Sequence, residues 1–508
     1  MQLLNLYIKD YKLLSDFEIN FTEGFQNEDT FNVIIGENGA GKTTLLEGIL
    51  KIFGNLYEAN TLQDIEKKIK SIDFKFTISY FIRAERVLEE TSISKDSRID
   101  YIKLQFSNID KNWIRLEYTD SIFDNDDVNN FLFKTQYLVK DLLPKNVVLY
   151  YAGFDGRLSK LTQKFTYDFF KDWFTFVSED SDKQTLGLNI NAPIFHFNPN
   201  QFNLLLFSLF CKESGDVYKF IREKFGIVGF TDITLVLKSP SWSKGSSKEF
   251  WGAKGIIKDA LDKFNKASQE SEFLKRGISF SYFIPDVLFN LSGYSTDDSF
   301  ASEKDIFQTL LALDIMGLLD KVQITLVKEI APEKNIEISS QDLSEGEKQL
   351  LSIYGLKQII STNDESLFLF DEPDTFLHPK WKKEFFKNLY YDTDGVKSTF
   401  NDFDIITTHS PEIIGGIKHN ILLRRLMEGK VSDKEYFVKG RDYNSILFEA
   451  FGTEKSSDIG KDLLSSFYDF LESKQLDKAK QVLDNIINER GLDDIETQRA
   501  LDNFDDYD

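Results

Sequence analysis

Cysteine is almost absent. The 508 residues contain one, Cys211, and only four histidines, His196, His378, His409 and His419. A disulfide framework is excluded, and no Cys/His set with zinc-ligand spacing can be assembled. No nuclease activity is therefore expected in this chain, and cutting through a His-metal centre would fall to another chain. Long apolar runs are missing too. None approaches the roughly 18 residues a membrane span needs, and Lys9 and Asp10 interrupt the N-terminus before a signal region forms. These absences predict a cytoplasmic protein with no membrane contact. Positive charge is in deficit, 61 Lys and Arg against 83 Asp and Glu, a net −22. That balance argues against coating nucleic acid with the whole surface and leaves room only for a local basic groove. Neither an internal repeat nor a sustained heptad pattern is present.

What is present is a 41% hydrophobic chain, enough for two to four structural units. Phe17–Phe21 alternates with period two, and Phe31–Ile35 is a short apolar run that ends at glycine, with a helix expected from Lys42 to about Lys51. From about 60 to 150, runs such as Phe74–Ile82 and Val147–Tyr151 predict an antiparallel sheet joined to this first core. Helical patterns follow at Phe202–Phe210, Val217–Phe225, Ile256–Phe264 and Ile306–Val322, around a Ser/Gly/Lys-rich loop near 239–255. Alternating helix and strand return after 343, with Leu367–Phe370 and Phe403–Thr407 as buried parallel strands. Near the C-terminus, Leu463, Leu464, Phe467, Phe470 and Leu471 form one apolar stripe, and Leu476, Ala479, Val482, Leu483 and Ile486 a second. They predict a helical hairpin followed by an acidic tail in which Asp502, Asp505, Asp506 and Asp508 are solvated.

Gly36-Glu37-Asn38-Gly39-Ala40-Gly41-Lys42-Thr43 matches G-x-x-x-x-G-K-[ST] between an apolar strand and an amphipathic helix. With Thr44 it forms a phosphate cradle: backbone N–H groups turn inward, Lys42 reaches the β and γ oxygens of ATP, and Thr43 ligates Mg²⁺. Leu367–Phe370 runs into Asp371 and Glu372. A carboxylate there holds Mg²⁺ and its neighbour serves as general base toward water. Leu343-Ser344-Glu345-Gly346-Glu347 opens a further helix. The same letters also spell a Ser N-cap with a capping box.

In this order the motifs resemble the ABC-type ATPases, with Ser344 and Gly346 in the place of their signature motif. The resemblance implies an α/β fold: a P-loop ATPase head with a mixed β core and an antiparallel subdomain, a mostly helical insert and a C-terminal helical hairpin. The expected segments are 1–155 and 335–455 for the two head lobes, 156–334 for the insert, and 456–508 for the hairpin and tail. In that family the signature touches nucleotide bound by the opposite subunit, so two nucleotides are sandwiched in a dimer. Pro373-Asp374-Thr375-Phe376-Leu377-His378-Pro379 resembles the D-loop of a prokaryotic branch that includes the overcoming-lysogenization-defect ATPases, which sets Asp374 at the dimer seam. Thr408-His409-Ser410 is similar to the switch segment, with His409 on the γ-phosphate; a satisfied core histidine is the plainer reading. For His378 the Leu-His-Pro setting predicts backbone capping. Tyr11-Lys12 lies where related ATPases place groups near the base or phosphate. No Q-loop glutamine has a recognisable setting, Gln136 and Gln163 included.

Some 300 residues separate Lys42 from Leu343, too many for a transporter ATPase. Lys238–Trp242, Phe250–Gly255 and Gly440–Leu447 are similar to segments of the ATPase subunit of Septu-type antiphage systems, also found beside retrons. That likeness implies homodimers or higher homo-oligomers and an HNH-type nuclease as partner. From Lys238 to Arg276 there are nine basic and five acidic residues, a net +4. With Trp242 and Trp251 this patch is the candidate nucleic-acid contact, a solvated loop and helix face being the alternative. The hairpin stripes either pack on the body or dock the nuclease.

Overall fold

The computed structural model describes residues 1–21, 30–84, 101–118, 121–128, 130, 139–153, 156–178, 192–211, 216–240, 249–253, 255–283, 288–289, 291–292, 299–361, 365–389, 402–415, 420–432, 446–451, 458–492 and 494–505. They fall into two compact units, Met1–Gly440 and Arg441–Asp508.

The first unit is built on a seven-stranded sheet in the order Lys430–Val431, Asn420–Met427, Thr30–Gly36, Phe403–Thr408, Ser366–Asp371, Asn146–Tyr151, Ile194–Phe197. All neighbours run parallel except the first pair. Ser366–Asp371 and Phe403–Thr408 are buried along their whole length, as continuous apolar strands covered on both faces must be. Val147–Tyr151, expected in the antiparallel sheet, belongs here. It pairs in parallel with Ser366–Asp371, and its solidly apolar pattern fits a strand buried on both sides rather than one with a wet face.

A six-stranded antiparallel sheet, Leu14–Asn20, Gln2–Tyr11, Phe76–Arg83, Tyr101–Ser107, Ile114–Tyr118, Ser121–Phe123, lies on the same core. The helix Lys42–Tyr57 is sandwiched within that core, with Leu45, Leu46, Ile49, Ile52 and Phe53 fully buried. Burying five such side chains supplies on the order of 10 kcal/mol of transfer free energy before entropy is charged against it.

The stretch expected to be mostly helical carries helices at Phe202–Phe210, Asp216–Phe225 and Gly255–Ala267, where the apolar period places them. It also carries most of a five-stranded antiparallel sheet: Glu270–Leu274, Gly277–Tyr282, Ile227–Lys238, Leu319–Ala331, Lys334–Ser339. Register shifts at Ile227/Gly229, Phe230/Asp232 and Val236/Leu237 blur the period-two pattern of the long central strand, which hides it in the sequence. Ile306–Val322 is not one helix. The helix runs Glu303–Ile315, Gly317 takes φ +69°, and Leu319 opens a strand; Gly317 adopts without penalty the left-handed conformation that ends a helix.

The second unit contains helices Asp458–Glu472, Leu476–Arg490 and Ile495–Asp505, packed through Phe467, Leu471, Ala479, Leu483, Ile486, Ala500 and Phe504. The expected hairpin is thus a three-helix unit. Much of the acidic tail is its third helix, because Ala500 and Phe504 complete the apolar contact; Asp506 and Asp508 lie outside the described residues. Asp494 nucleates that helix: it accepts the Thr497 amide at 2.9 Å and both guanidinium arms of Arg490, at 2.9 and 3.1 Å. These bonds hold its carboxyl down at about 2. Asp494→Ala is expected to cost about 1–2 kcal/mol locally, read as faster amide exchange over Ile495–Asp505. A carboxyl depressed on folding stabilises above its unfolded pKa, so this contribution should fade as pH falls from about 4 toward 2.

Candidate functional site

The carboxyl ends of Thr30–Gly36, Ser366–Asp371 and Phe403–Thr408 converge, and parallel pairing sets Asp371 beside Thr407 and Thr408 beside Ile35. Open α/β sheets hold ligands at such ends, where the chain order around a strand reverses. The loop Gly36–Lys42 leaves the first of these ends. Gly41 has φ +110°, a conformation closed to most side chains, and caps the Lys42–Tyr57 helix without any side-chain hydrogen bond or acidic residue in the first turn. The helix start is left as an uncompensated positive end that suits a phosphate. Behind the loop, the Gly429 amide donates to the Ala40 carbonyl at 3.1 Å, and Arg425 Nη2 lies 3.9 Å from Glu37 Oε1.

Lys42 folds back over the loop, donating to the carbonyls of Gly36 at 2.8 Å and Glu37 at 3.2 Å, and its Nζ lies 3.8 Å from Glu372 Oε1. Burial lowers the pKa of its ammonium, while Glu372 and Asp371 pull the other way. Thr43 Oγ1 donates to Asp371 Oδ2 at 2.7 Å, and Thr407 donates to the other oxygen of the same carboxylate. Asp371 is fully buried; burial raises its carboxyl, and the hydroxyls of Thr407 and Thr43 oppose the rise.

Glu372 sits one residue beyond the strand with φ +51°, its amide donating to the Thr407 carbonyl at 3.0 Å. This left-handed kink swings its side chain away from the sheet toward Lys42 and toward His409, whose Nδ1 lies 3.1 Å from Glu372 Oε1. His409 is half exposed, so the core-histidine reading does not hold for it. Asp374 is buried, accepts from Thr408 Oγ1 at 2.9 Å and lies 3.5 Å from Lys382 Nζ, which also donates to Ser410 at 3.3 Å. His378 Nδ1 accepts the Lys380 amide at 3.2 Å, the capping its sequence setting predicts.

The signature segment shows its capping box in full. Ser344 Oγ accepts the Glu347 amide at 3.3 Å, Glu347 Oε2 accepts the Ser344 amide at 2.9 Å, and Lys328 anchors Glu347 at 2.7 Å. Gly346 abuts the next loop so closely that a Cβ would lie 2.8 Å from the Phe376 carbonyl oxygen. Ser344 thus bonds within its own helix start and not to Gly36–Thr43.

Thr407, Lys382 and Gln349 also belong to this network, though no sequence motif marks them as a set. Gln349 is buried and accepts the Phe376 amide at 2.9 Å, joining the signature helix to the loop after Glu372. The Thr407-Thr408 pair before His409 was a readable signal, two hydroxyls at the end of a buried strand; Lys382 and Gln349 had none. Tyr11 is a packed residue in contact with Phe74, and Lys12 pairs with Glu47 at 2.5 Å. Gln163 is exposed on the Gly156–Ser178 helix, while Gln136, Trp242, His419 and most of Gly440–Leu447 lie outside the described residues.

Two ATPase-domain models match this chain. One, described as "AAA ATPase domain", matches residues 1–184 and contains the Gly36–Thr43 loop. The other, described as "AAA domain, putative AbiEii toxin, Type IV TA system", matches residues 237–415 and contains everything from Ser344 to His409. The two halves of the ATPase site therefore come from separate matched segments that the central sheet brings together. No curated protein matches the chain. Similar solved structures include the SMC head domain from Thermotoga maritima, 11% identical with TM-score 0.31, covering 86% of this chain and 100% of that one. An Smc head domain bound to the C-terminal domain of ScpA derived from Pyrococcus furiosus is 14% identical with TM-score 0.30, covering 85% and 95%. The recombination mediator protein RecF with ATP is 12% identical with TM-score 0.31, covering 85% and 98%.

Thr43 and Asp371 present hard oxygen donors, the kind Mg²⁺ takes. Among the described residues no group of three or more His, Cys, Asp or Glu side chains could hold a metal ion. No described helix is long and apolar enough to cross a membrane.

Proposed function

We propose that the chain binds and hydrolyses ATP, and that two copies close over two nucleotides to regulate an HNH-type nuclease carried by a partner chain in antiphage defence. The convergence of Lys42, Thr43, Asp371, Glu372 and His409 at three strand ends carries the ATPase reading. Gly36–Thr44 wraps the phosphates with backbone amides, and Lys42 neutralises their developing charge. Thr43 and Asp371 would hold Mg²⁺, which would supply charge neutralisation on the phosphate oxygens. Glu372 takes a proton from the attacking water; His409, fixed at 3.1 Å from Glu372, orients that carboxylate and faces the γ-phosphate.

Dimer formation is supported by the separation of roles. Ser344 and Gly346 are held by their own helix start and the Phe376 loop, which leaves them to complete the site of a second copy, with Asp374 nearby at the seam. Phe376 is 44% exposed beside them, an aromatic without cover. The defence role draws on the resemblance to Septu-type ATPases and on the toxin–antitoxin wording of the second matched model.

Lys42→Ala is the direct test. It should lower kcat/KM for ATP by about 10²-fold or more, with ATP affinity falling in the same preparation. Full turnover in that variant would end the ATPase assignment. Co-purification with an HNH-type nuclease tests the partner; hydrolysis stimulated by DNA without any partner would instead favour a stand-alone repair or recombination ATPase.

A further inference from the structure

The Glu270–Leu274 strand ends its sheet, and every one of its residues is exposed, as are Lys275 and Arg276 in the turn that follows. Its neighbour Gly277–Tyr282 buries Ile278, Phe280 and Tyr282, so the hairpin is anchored on one side and bare on the other. Phe273 is 73% exposed, with Leu274 at 39% and Phe283 at 41% nearby. A free edge of this kind presents a row of unpaired backbone donors and acceptors and is a template for another strand. Natural edges are blunted by proline, bulges or charged side chains. This one has neither proline nor a register shift against its partner strand.

Its charges are segregated by sign. Glu270 and Glu272 open the strand; Lys275 and Arg276 close it. Among the described residues none of the four side chains forms an ion pair. A parallel copy laid in register would oppose like charges. An antiparallel copy centred near Phe273 sets each acidic end against the other's basic end and brings the two Phe273 side chains together, a pattern that is self-complementary about a two-fold axis. The opposite edge, Lys334–Ser339, lacks this property: Glu333 and Glu337 flank a single lysine.

We propose that the Glu270–Leu274 edge is a homotypic interface, joining two copies of this chain by antiparallel strand addition independently of nucleotide. The inference does not rest on the ATPase reading, and it accounts for the basic end of the Lys238–Arg276 segment as a protein contact.

Charge exchange in the full chain, without nucleotide, tests it. Sedimentation of the wild type should show an assembly. Glu270→Lys with Glu272→Lys makes the edge all basic, and Lys275→Glu with Arg276→Glu makes it all acidic. Each double variant alone should fall to half the wild-type mass, and an equimolar mixture of the two should regain it. Because rescue in trans requires both variants to be folded, misfolding cannot imitate it. A monomeric wild type, unchanged mass in both variants, or a mixture that does not reassemble would overturn the proposal. So would an all-basic variant that keeps its mass and merely gains affinity for a DNA oligonucleotide, which would mark the patch as a nucleic-acid surface.

Discussion

Glu372→Gln is expected to reduce ATP turnover by roughly 10²–10³-fold while ATP affinity is retained. The amide keeps the shape of the carboxylate and can still accept from His409, so the site is not dismantled; only basicity is removed. Glu372 Oε1 lies 3.1 Å from His409 Nδ1 and 3.8 Å from Lys42 Nζ, between the histidine proposed to face the γ-phosphate and the lysine proposed to bind it. With ATP bound and uncleaved, the variant should accumulate as a closed dimer, read as a doubled mass in ATP and not in ADP. Rapid-quench phosphate release and nucleotide binding separate kcat from affinity. Unaltered turnover, or loss of ATP binding in parallel, would remove Glu372 from the role of base. His409→Ala should reduce turnover less, because the histidine acts partly through the carboxylate it orients.

The largest stability effect belongs to a residue far from any proposed ligand. Lys357 is completely buried, 2.9 Å from Asp404 and 3.2 Å from Asp402, with its ammonium 4.2 Å from the Phe368 ring centroid. Burial pushes its pKa down, but the two carboxylates more than offset that and the net shift is upward. Lys357→Met strands two buried carboxylates and should cost about 3–5 kcal/mol. All five tryptophans lie before residue 441, so their fluorescence in urea reports on the first unit alone. Burial already raises the Asp402 carboxyl, and Lys357 restrains the rise. Without the lysine the Asp402 carboxyl should climb further. A raised carboxyl stabilises the fold below its unfolded pKa and withdraws that contribution as pH rises through the folded value, so the deficit should shrink in acid. Asp402→Asn and Asp404→Asn added to the same variant should recover most of the loss. A deficit that persists unchanged in the triple variant would mean that packing rather than stranded charge is responsible.

Much of the site was legible because its chemistry is written locally. Gly36–Thr43 needs glycines at fixed offsets between a strand and a helix, and Asp371-Glu372 needs only an apolar strand that stops at two acids. The helices at Phe202–Phe210 and Gly255–Ala267 followed from apolar period for the same reason. What escaped was decided at a distance. The long strand Ile227–Lys238 carries bulges that break its alternation, and Ile306–Val322 looked continuous until Gly317 turned left-handed. Val147–Tyr151 read as any β-run, and only its neighbour Ser366–Asp371, more than 200 residues away, makes it central.

By itself the sequence determined which atoms could do the chemistry: a lysine and a threonine at a helix start, two carboxylates at a strand end, a histidine after two threonines. It also excluded a disulfide framework, because one cysteine cannot build one. The tertiary structure decided that these groups share one site, since parallel pairing of Thr30–Gly36, Phe403–Thr408 and Ser366–Asp371 brings together segments that lie more than 300 residues apart. It alone aimed Glu372, through a positive φ that no residue pattern announces, and it alone left Glu270–Leu274 uncovered. Exposure of an edge depends on what every other segment has already covered, and that is a property of the packed chain rather than of any stretch of it.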